Sequence, residues 1–432
     1  MDTIIALSSG APPSGVAVIR ISGPGAGPVV ERLCGSVPEP RMASLRALRD
    51  PDGSLIDRGI VVWMPGPASF TGEDSAELQL HGSRAVIDRV LELATAQTGV
   101  RLAEAGEFAR RAFANGKLDL TAAEGLGDLI AAETEAQRRF AVQQAEGTHG
   151  ALYAAWRDRL LHARAMIEAE IDFADEDDVP GSVANRIWGD MAALREEIGR
   201  HLGAEKRGTM MRSGFQIVIV GQPNAGKSTL LNALSGSDRA IVSSEPGTTR
   251  DIVEVRLDLG GYLVVLADTA GLREADGVVE QEGIRRARAR ARDADLVLQL
   301  SEGDGFDDLD LPAAVPVWRI ATKTDRGRSA ADADLGISAL TGDGVDVLLT
   351  RLTAMIGERA GSVVDVAPSR ARHVGHLRAC AEALTRACDG GAAVELRAED
   401  LRIAAEALGK ITGAIDVEEV LGEIFGAFCI GK

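Results

Sequence analysis

The sequence predicts a multidomain chain of mixed α+β and α/β class: an N-terminal α+β domain, a helical bundle, and an α/β domain inserted within that bundle. Three observations carry this expectation. Residues 1 to about 117 alternate short β-like runs with Gly/Pro turns. Helical patterns begin at Leu120 and return after Pro368. Between them, from Phe215 to about Ile356, strand and helix patterns alternate as in βαβ units. At roughly 150 residues per domain, a chain of 432 residues is expected to hold about three domains.

Each element has a local reason. "GVAVIRIS" (Gly15–Ser22) and "GIVVWM" (Gly59–Met64) read as strands, and Ala85 to Ala94 is amphipathic. "LTAAEGLGDLIAAETEAQRRFAVQQAEG" (Leu120–Gly147) and "ALYAAWRDRLLHARAMIEAEIDF" (Ala151–Phe173) carry apolar residues at helical spacing. The acidic run "DEDDVPG" (Asp175–Gly181) stops that pattern with a Pro-Gly breaker, and a further helix runs to about Gly203. "FQIVIVG" (Phe215–Gly221) reads as a buried parallel strand. Boundaries are expected at 1–117, 118–212, 213–357 and 358–432, the second and fourth segments forming one helical domain. Insertion is the economical reading, because a bundle from the last segment alone would be small.

Composition narrows the class. Hydrophobic residues make up 45% and aromatics only 3%, so aliphatic side chains must fill the cores. A net charge of −18 argues against a general phosphate-coating nucleic-acid binder. The four cysteines, Cys34, Cys380, Cys388 and Cys429, form no C-x-x-C pair. The start "MDTIIALSSGAPPSG" has no basic leader, and no apolar run is long enough to span a bilayer. A cytoplasmic protein with reduced thiols and no membrane partner is expected.

The chemistry is concentrated in the α/β segment. "GQPNAGKS" (Gly221–Ser228) fits G-x-x-x-x-G-K-[ST], after a strand and before the helical "TLLNAL". Backbone N–H groups of Asn224, Ala225, Gly226, Lys227, Ser228 and Thr229 can cradle phosphates at a helix N-terminus. Lys227 reaches the β- and γ-phosphates, and the Ser228 hydroxyl can ligate Mg²⁺. About 40 residues on, "DTAG" (Asp268, Thr269, Ala270, Gly271) ends an apolar strand, where a carboxylate can hold the Mg²⁺ shell. Between the two, Ser243, Ser244, Glu245, Pro246, Gly247, Thr248 and Thr249 read as a switch loop, with Thr249 placed to close on Mg²⁺. "TKTD" supplies Thr322, Lys323 and Asp325; the Asp325 carboxylate suits the two N–H donors of guanine, a pair that adenine lacks. "ISAL" adds Ser338, Ala339 and Leu340 to a base-contacting loop. Five stations in this order predict a Ras-like P-loop GTPase domain binding GTP and GDP. Leu272 follows Gly271, so no glutamine stands there to orient the attacking water.

These motifs together resemble the MnmE (TrmE) family of tRNA-modifying GTPases, and the resemblance covers essentially the whole chain. "DTIIALSS…GVAVIRISG", "SFTGEDSAELQLHG", "GEFARRAFANGKLDLTAAEGLGDLI" and the C-x-G-K ending "FCIGK" match its signatures in order. The resemblance implies an N-terminal domain that binds a tetrahydrofolate, 5-formyl or methylene, at Arg20, Glu77, Lys117 and the terminal Lys432, and that forms a homodimer. It implies K⁺ bound by Asn224, Ser243, Glu245 and Thr248, Mg²⁺ bound by Ser228 and Thr249, and Glu280 orienting the hydrolytic water. It implies a partner, MnmG (GidA), carrying FAD and using NADH, and a tRNA whose wobble uridine is modified. A cation beside the β/γ bridge would fill the gap left by the missing glutamine and arginine finger. One position departs: the family's N-K-x-D begins here with Thr322, so weaker nucleotide binding that still prefers GTP is expected.

Plainer readings stand beside these. On residues alone Arg20 is a strand-edge cation in solvent, Glu77 a solvent-facing strand residue, Lys117 a turn lysine and Glu280 a helix-capping acid. "RRARARAR" (Arg285–Arg292) reads as a solvated helix face. Cys34, Cys380 and Cys388 read as core or incidental. Cys429 is either a buried small residue or a nucleophilic or redox thiol delivered by the tail helix Val417–Phe428. Two rival functions fit parts of the pattern: a ribosome-assembly GTPase without one-carbon chemistry, and a folate enzyme with a vestigial GTPase.

Overall fold

A computed structural model describes residues 2–172, 182–241, 254–268, 290–303, 305–306, 308, 311–327, 332–361, 366–415 and 418–431. They divide into two compact units, Met1–Gly127 with Gln144–Ala184 and Asp389–Lys432, and Asp128–Gln143 with Asn185–Cys388.

The first unit is built on a six-stranded sheet of β1 (Thr3–Leu7), β2 (Ser14–Ser22), β3 (Ser44–Arg49), β4 (Leu55–Met64), β5 (Ser75–Gly82) and β6 (Val100–Leu102). The order is β3-β4-β5-β2-β1-β6, antiparallel except where β1 meets β6. Residues of alternate parity diverge to opposite faces. Ile19, Ile21, Leu78 and Leu80 point into a core closed by helices Ala26–Cys34 and Arg84–Thr95. The first of these stops at Gly35, whose left-handed φ of 81° lets its N–H reach Glu31 O. On the opposite face, helix Glu107–Ala114 lays Phe108 against Ile4 and Ala6. Helix Thr148–Asp172 packs along helix Val394–Thr412, so helices from both sides of the α/β segment meet, as an inserted domain requires. Helix Glu418–Gly426 seats Phe425 on Ala109, Leu120 and Ala123.

The second unit holds β7 (Phe215–Gly221), β8 (Glu254–Leu259), β9 (Tyr262–Asp268), β10 (Leu296–Ser301), β11 (Val317–Ala321) and β12 (Leu335–Gly336). The order is β12-β11-β10-β7-β9-β8, parallel except for β8. Helices Lys227–Ser235 and Val345–Ala360 cover one face through Leu230, Leu234, Leu348 and Leu352. Val218, Val220 and Val297 pack on the other with Ala291 and Ala294. With both faces covered, β10 is buried along its whole length, which explains its uninterrupted run "LVLQLS". The β8–β9 hairpin turns at Gly260–Gly261 and is anchored on helix Glu135–Ala145. Gly261 O accepts the Ala136 N–H at 3.0 Å, and Arg256 pairs with Glu133 at 2.8 Å.

Candidate functional site

Chain direction in the parallel sheet fixes where a ligand can sit. From β7 the chain runs to β8 and β9 on one side, then crosses to β10, β11 and β12 on the other. That reversal opens a crevice beyond the carboxyl end of β7, and the phosphate loop lies there. Left-handed backbone at Asn224 (φ 66°) and Gly226 (φ 89°) curls the loop so that its N–H groups converge, as an anion requires. Gly226 also caps helix Lys227–Ser235, adding that helix's positive end. Gly221 has no room for a side chain, since a Cβ would stand 2.5 Å from Leu300 O. Lys227 is buried and folds its ammonium back over the loop, donating to Gly221 O at 2.7 Å and Gln222 O at 2.9 Å. Asn224, Ser228 and Thr229 are exposed around it.

Two strands away the Thr322–Asp325 turn forms at the same edge. The Thr322 hydroxyl donates to Ala225 O in the phosphate loop at 2.8 Å, with Ser301 O at 3.2 Å. The Thr322 hydroxyl thus joins this turn to the phosphate loop. Lys323 takes left-handed backbone (φ 55°) and starts the 3₁₀ turn Thr324–Arg326. Ser338, fully buried, donates to Asp325 Oδ1 at 2.7 Å and so aims that carboxylate. Ser338 N–H in turn bonds Asp343 O at 2.8 Å, which fixes the loop carrying Ala339 and the exposed Leu340. Glu302 draws both Lys323 and Arg326 to itself, and these cations hold its carboxyl below the usual range. Asp268 ends β9 in register with Ile219 of β7, beside the start of the phosphate loop. Ser243, Ser244, Glu245, Pro246, Gly247, Thr248, Thr249, Thr269, Ala270, Gly271, Glu280 and Lys432 lie outside the described residues, as do positions 285–289 of the arginine run.

In the first unit, Arg20 is not a strand-edge cation. Its strand, β2, is interior to the sheet, and its guanidinium donates twice to Glu77 Oε1, at 3.0 and 2.8 Å, directly across from it on β5. Both donors go to one oxygen, leaving Oε2 outside the pair. The guanidinium lies 5.5 Å from the Phe70 ring centre and 5.7 Å from that of Phe108. Lys117 is exposed and its stem runs over Gly72, two residues past Phe70. Both the ring beside Arg20 and the glycine under Lys117 thus come from the 70–72 loop. Next to Phe108 in the chain, Glu107 is buried and takes two bonds from Arg101, at 2.8 and 2.5 Å, and one from Arg111 at 3.0 Å. Burial raises its pKa, but the Arg101 pair, the Glu104 N–H and Arg111 outweigh this and hold it down to about 2.

The tail closes on the same unit. Ile430 bridges Ala105, Cys429 O accepts the Gly106 N–H at 3.4 Å, and Gly431 O accepts the Ser8 hydroxyl at 2.8 Å. Gly431 must be glycine, since its φ is 94° and a Cβ would stand 2.2 Å from Leu7 O. The backbone is pinned while Cys429 itself is exposed, contrary to the reading of a buried small residue. Burial pushes the Cys34 thiol up to about 11 and the Cys380 thiol up to about 12, which leaves both inert. Sequence reasoning missed Phe70, Phe108, Glu107 and Glu302. The spacing of Glu107 and Arg111 on one helical turn was a signal for part of that network; nothing local marks the two rings.

A phosphate loop at the reversal point of a mostly parallel sheet, joined by the Thr322 hydroxyl to the turn that carries Asp325, defines a P-loop nucleotide-binding protein. Residues 3–117 match the family described as the GTP-binding protein TrmE N-terminus, and residues 120–429 match the MnmE helical domain. The tRNA modification GTPase MnmE of Rhizobium meliloti (strain 1021) is 56% identical over 436 residues, covering 100% of this chain and 99% of that one. The protein of the same name from Brucella canis is 54% identical over 440 residues, covering 100% and 98%. The chain belongs to the MnmE family. Among the described residues no helix is long and apolar enough to cross a membrane.

Proposed function

We propose that the chain is a K⁺-activated GTPase that works with an MnmG (GidA) partner to place an aminomethyl or carboxymethylaminomethyl group on the wobble uridine of certain tRNAs. A tetrahydrofolate derivative supplies the one-carbon unit, glycine or ammonium supplies nitrogen, and FAD and NADH act on the partner. Arg20, Glu77, Lys117 and Lys432 hold the folate in a homodimer of N-terminal domains. The pairing of a guanidinium and a carboxylate beside two aromatic rings supports this reading, because it suits a flat heterocycle rich in N–H donors. GTP hydrolysis drives the G domains together and apart.

The observation that carries the nucleotide half is the convergence of the phosphate loop and Asp325 at one edge of the sheet, joined through Thr322 and Ala225. Lys227 exchanges its loop carbonyls for β- and γ-phosphate oxygens, a pairing of opposite charges worth more than a neutral bond. Ser228 stands exposed on the first helical turn, where its hydroxyl fits Mg²⁺, with Thr249 as the second protein ligand. Asn224 extends from left-handed backbone and fits K⁺ together with Ser243, Glu245 and Thr248. These cations, when bound, offset negative charge developing between the β- and γ-phosphates. Glu280 orients the water. The full-length relationship to MnmE proteins favours the tRNA reading over a ribosome-assembly factor.

The test is GTP turnover in KCl against NaCl at equal ionic strength, with Asn224→Ala alongside. Faster turnover in KCl for the native chain, lost in the variant, is the expected outcome. Equal rates in the two salts would remove K⁺ from the mechanism.

A further inference from the structure

Thr322 does more than fill a motif position. It is only 4% exposed, and its single hydroxyl proton is committed to Ala225 O at 2.8 Å, with Ser301 O as the alternative acceptor at 3.2 Å. A hydroxyl has one donor, so none remains for a ligand. The single Ser338 proton is engaged too, on Asp325, and the cations beside the turn, Lys323 and Arg326, are drawn away onto Glu302. The Asp325 carboxylate, when ionised, can only accept.

A guanine base offers N1–H and N2–H₂ donors on one edge, and the acceptors N7 and O6 on another. The turn therefore meets the donor edge with an oriented carboxylate, and no side-chain donor of Thr322 or Ser338 is left for N7. An asparagine at 322 would differ in kind. Its amide has two N–H donors, enough to hold Ala225 O and still reach the base.

We propose that Thr322 is a positioning residue for the phosphate loop that leaves the N7 edge of the base unread, so that nucleobase selection rests on the Asp325 edge. This rests on the guanine reading given above. It assigns Thr322 a division of labour: the tie to the phosphate loop is kept, and one base contact is given up. The nucleotide site consequently accepts guanine analogues altered at position 7 as readily as guanine itself.

The test is displacement of a fluorescent GDP from the full-length chain by GDP, 7-deaza-GDP, IDP and ADP, using the native protein and Thr322→Asn and Thr322→Val variants. In the native protein GDP and 7-deaza-GDP should displace within about twofold of each other. IDP, lacking the 2-amino group, should be weaker by roughly tenfold, the loss of one bond to a charged acceptor. Thr322→Asn should bind GDP more tightly and 7-deaza-GDP no better, opening a gap of about threefold or more, a modest neutral hydrogen bond. Thr322→Val should weaken GDP and 7-deaza-GDP alike, because it removes only the tie to the loop. A native protein that prefers GDP over 7-deaza-GDP by about tenfold while still rejecting ADP would overturn the inference and leave the guanine reading intact. Equal displacement by IDP and GDP would remove Asp325 as the reader of the 2-amino group and overturn it as well. Displacement by ADP as effective as by GDP would take down the guanine reading itself, and the inference with it.

Discussion

The two sheets place their chemistry in opposite ways. In the second unit, helices and apolar side chains pack on both faces of the sheet and its central strand β10 is buried throughout. Chemistry is pushed to the carboxyl ends of the strands, where Gly221, Asp268 and Thr322 stand. In the first unit, β2 and β5 alternate buried and half-buried residues, and the hydrogen-bonded pair Arg20–Glu77 lies on a strand face. Coverage thus decides the address of a site. A sheet whose central strand is fully buried carries its candidate site at its rim, and a sheet with half-buried strand positions can carry one on its side chains.

The rim is most sharply tested by Lys227→Ala. It should weaken GTP binding by about 10³-fold, roughly 4 kcal/mol for a buried ammonium on two phosphates. Binding of a folate to the full-length chain should be unchanged, and loss of both would break the contrast between rim and face. Next in size is the network around Glu107. Glu107 is depressed from 4.5 to about 2, so its contribution is complete above about 4.5 and is lost as pH falls toward 2. That contribution is about 3 kcal/mol at neutral pH. Urea unfolding of the native chain and Glu107→Gln, compared at pH 7 and pH 3, should show the gap between them narrowing in acid. A gap that stayed constant would mean the ion pairs do not stabilise the sheet. The smallest effect on stability belongs to Arg20→Ala, about 1 kcal/mol or less for a half-exposed pair. Its folate affinity should nevertheless drop by about tenfold, measured by calorimetry, with GTP turnover unaltered. A site residue at a half-buried strand position should cost function more than fold.

What could be read from the sequence was local. The phosphate loop declares itself because strand, glycines, lysine and helix are contiguous between Phe215 and Ser235. The inserted α/β domain was legible because strands buried on both faces read as unbroken apolar runs. The address of Arg20 was not legible: whether β2 is edge or interior depends on β1 and β5, and the rings beside it come from Phe70 and Phe108. The partner of Thr322 lies 97 residues away in sequence, so no local pattern could name it.

The tail contact has a consequence for how the molecule is made. Ser8 and Gly431 are joined across 423 residues, and chains emerge from the ribosome at about 5–20 residues per second. The N-terminal sheet is thus available to fold tens of seconds before the segment that seats against Leu7 and Ser8 exists. During that interval the end of β1 lacks its last neighbour, whereas the phosphate loop has every residue of its own strand and helix. A chain that stopped before Ile430 would retain its nucleotide loop and lack the residues that seat against Leu7 and Ser8.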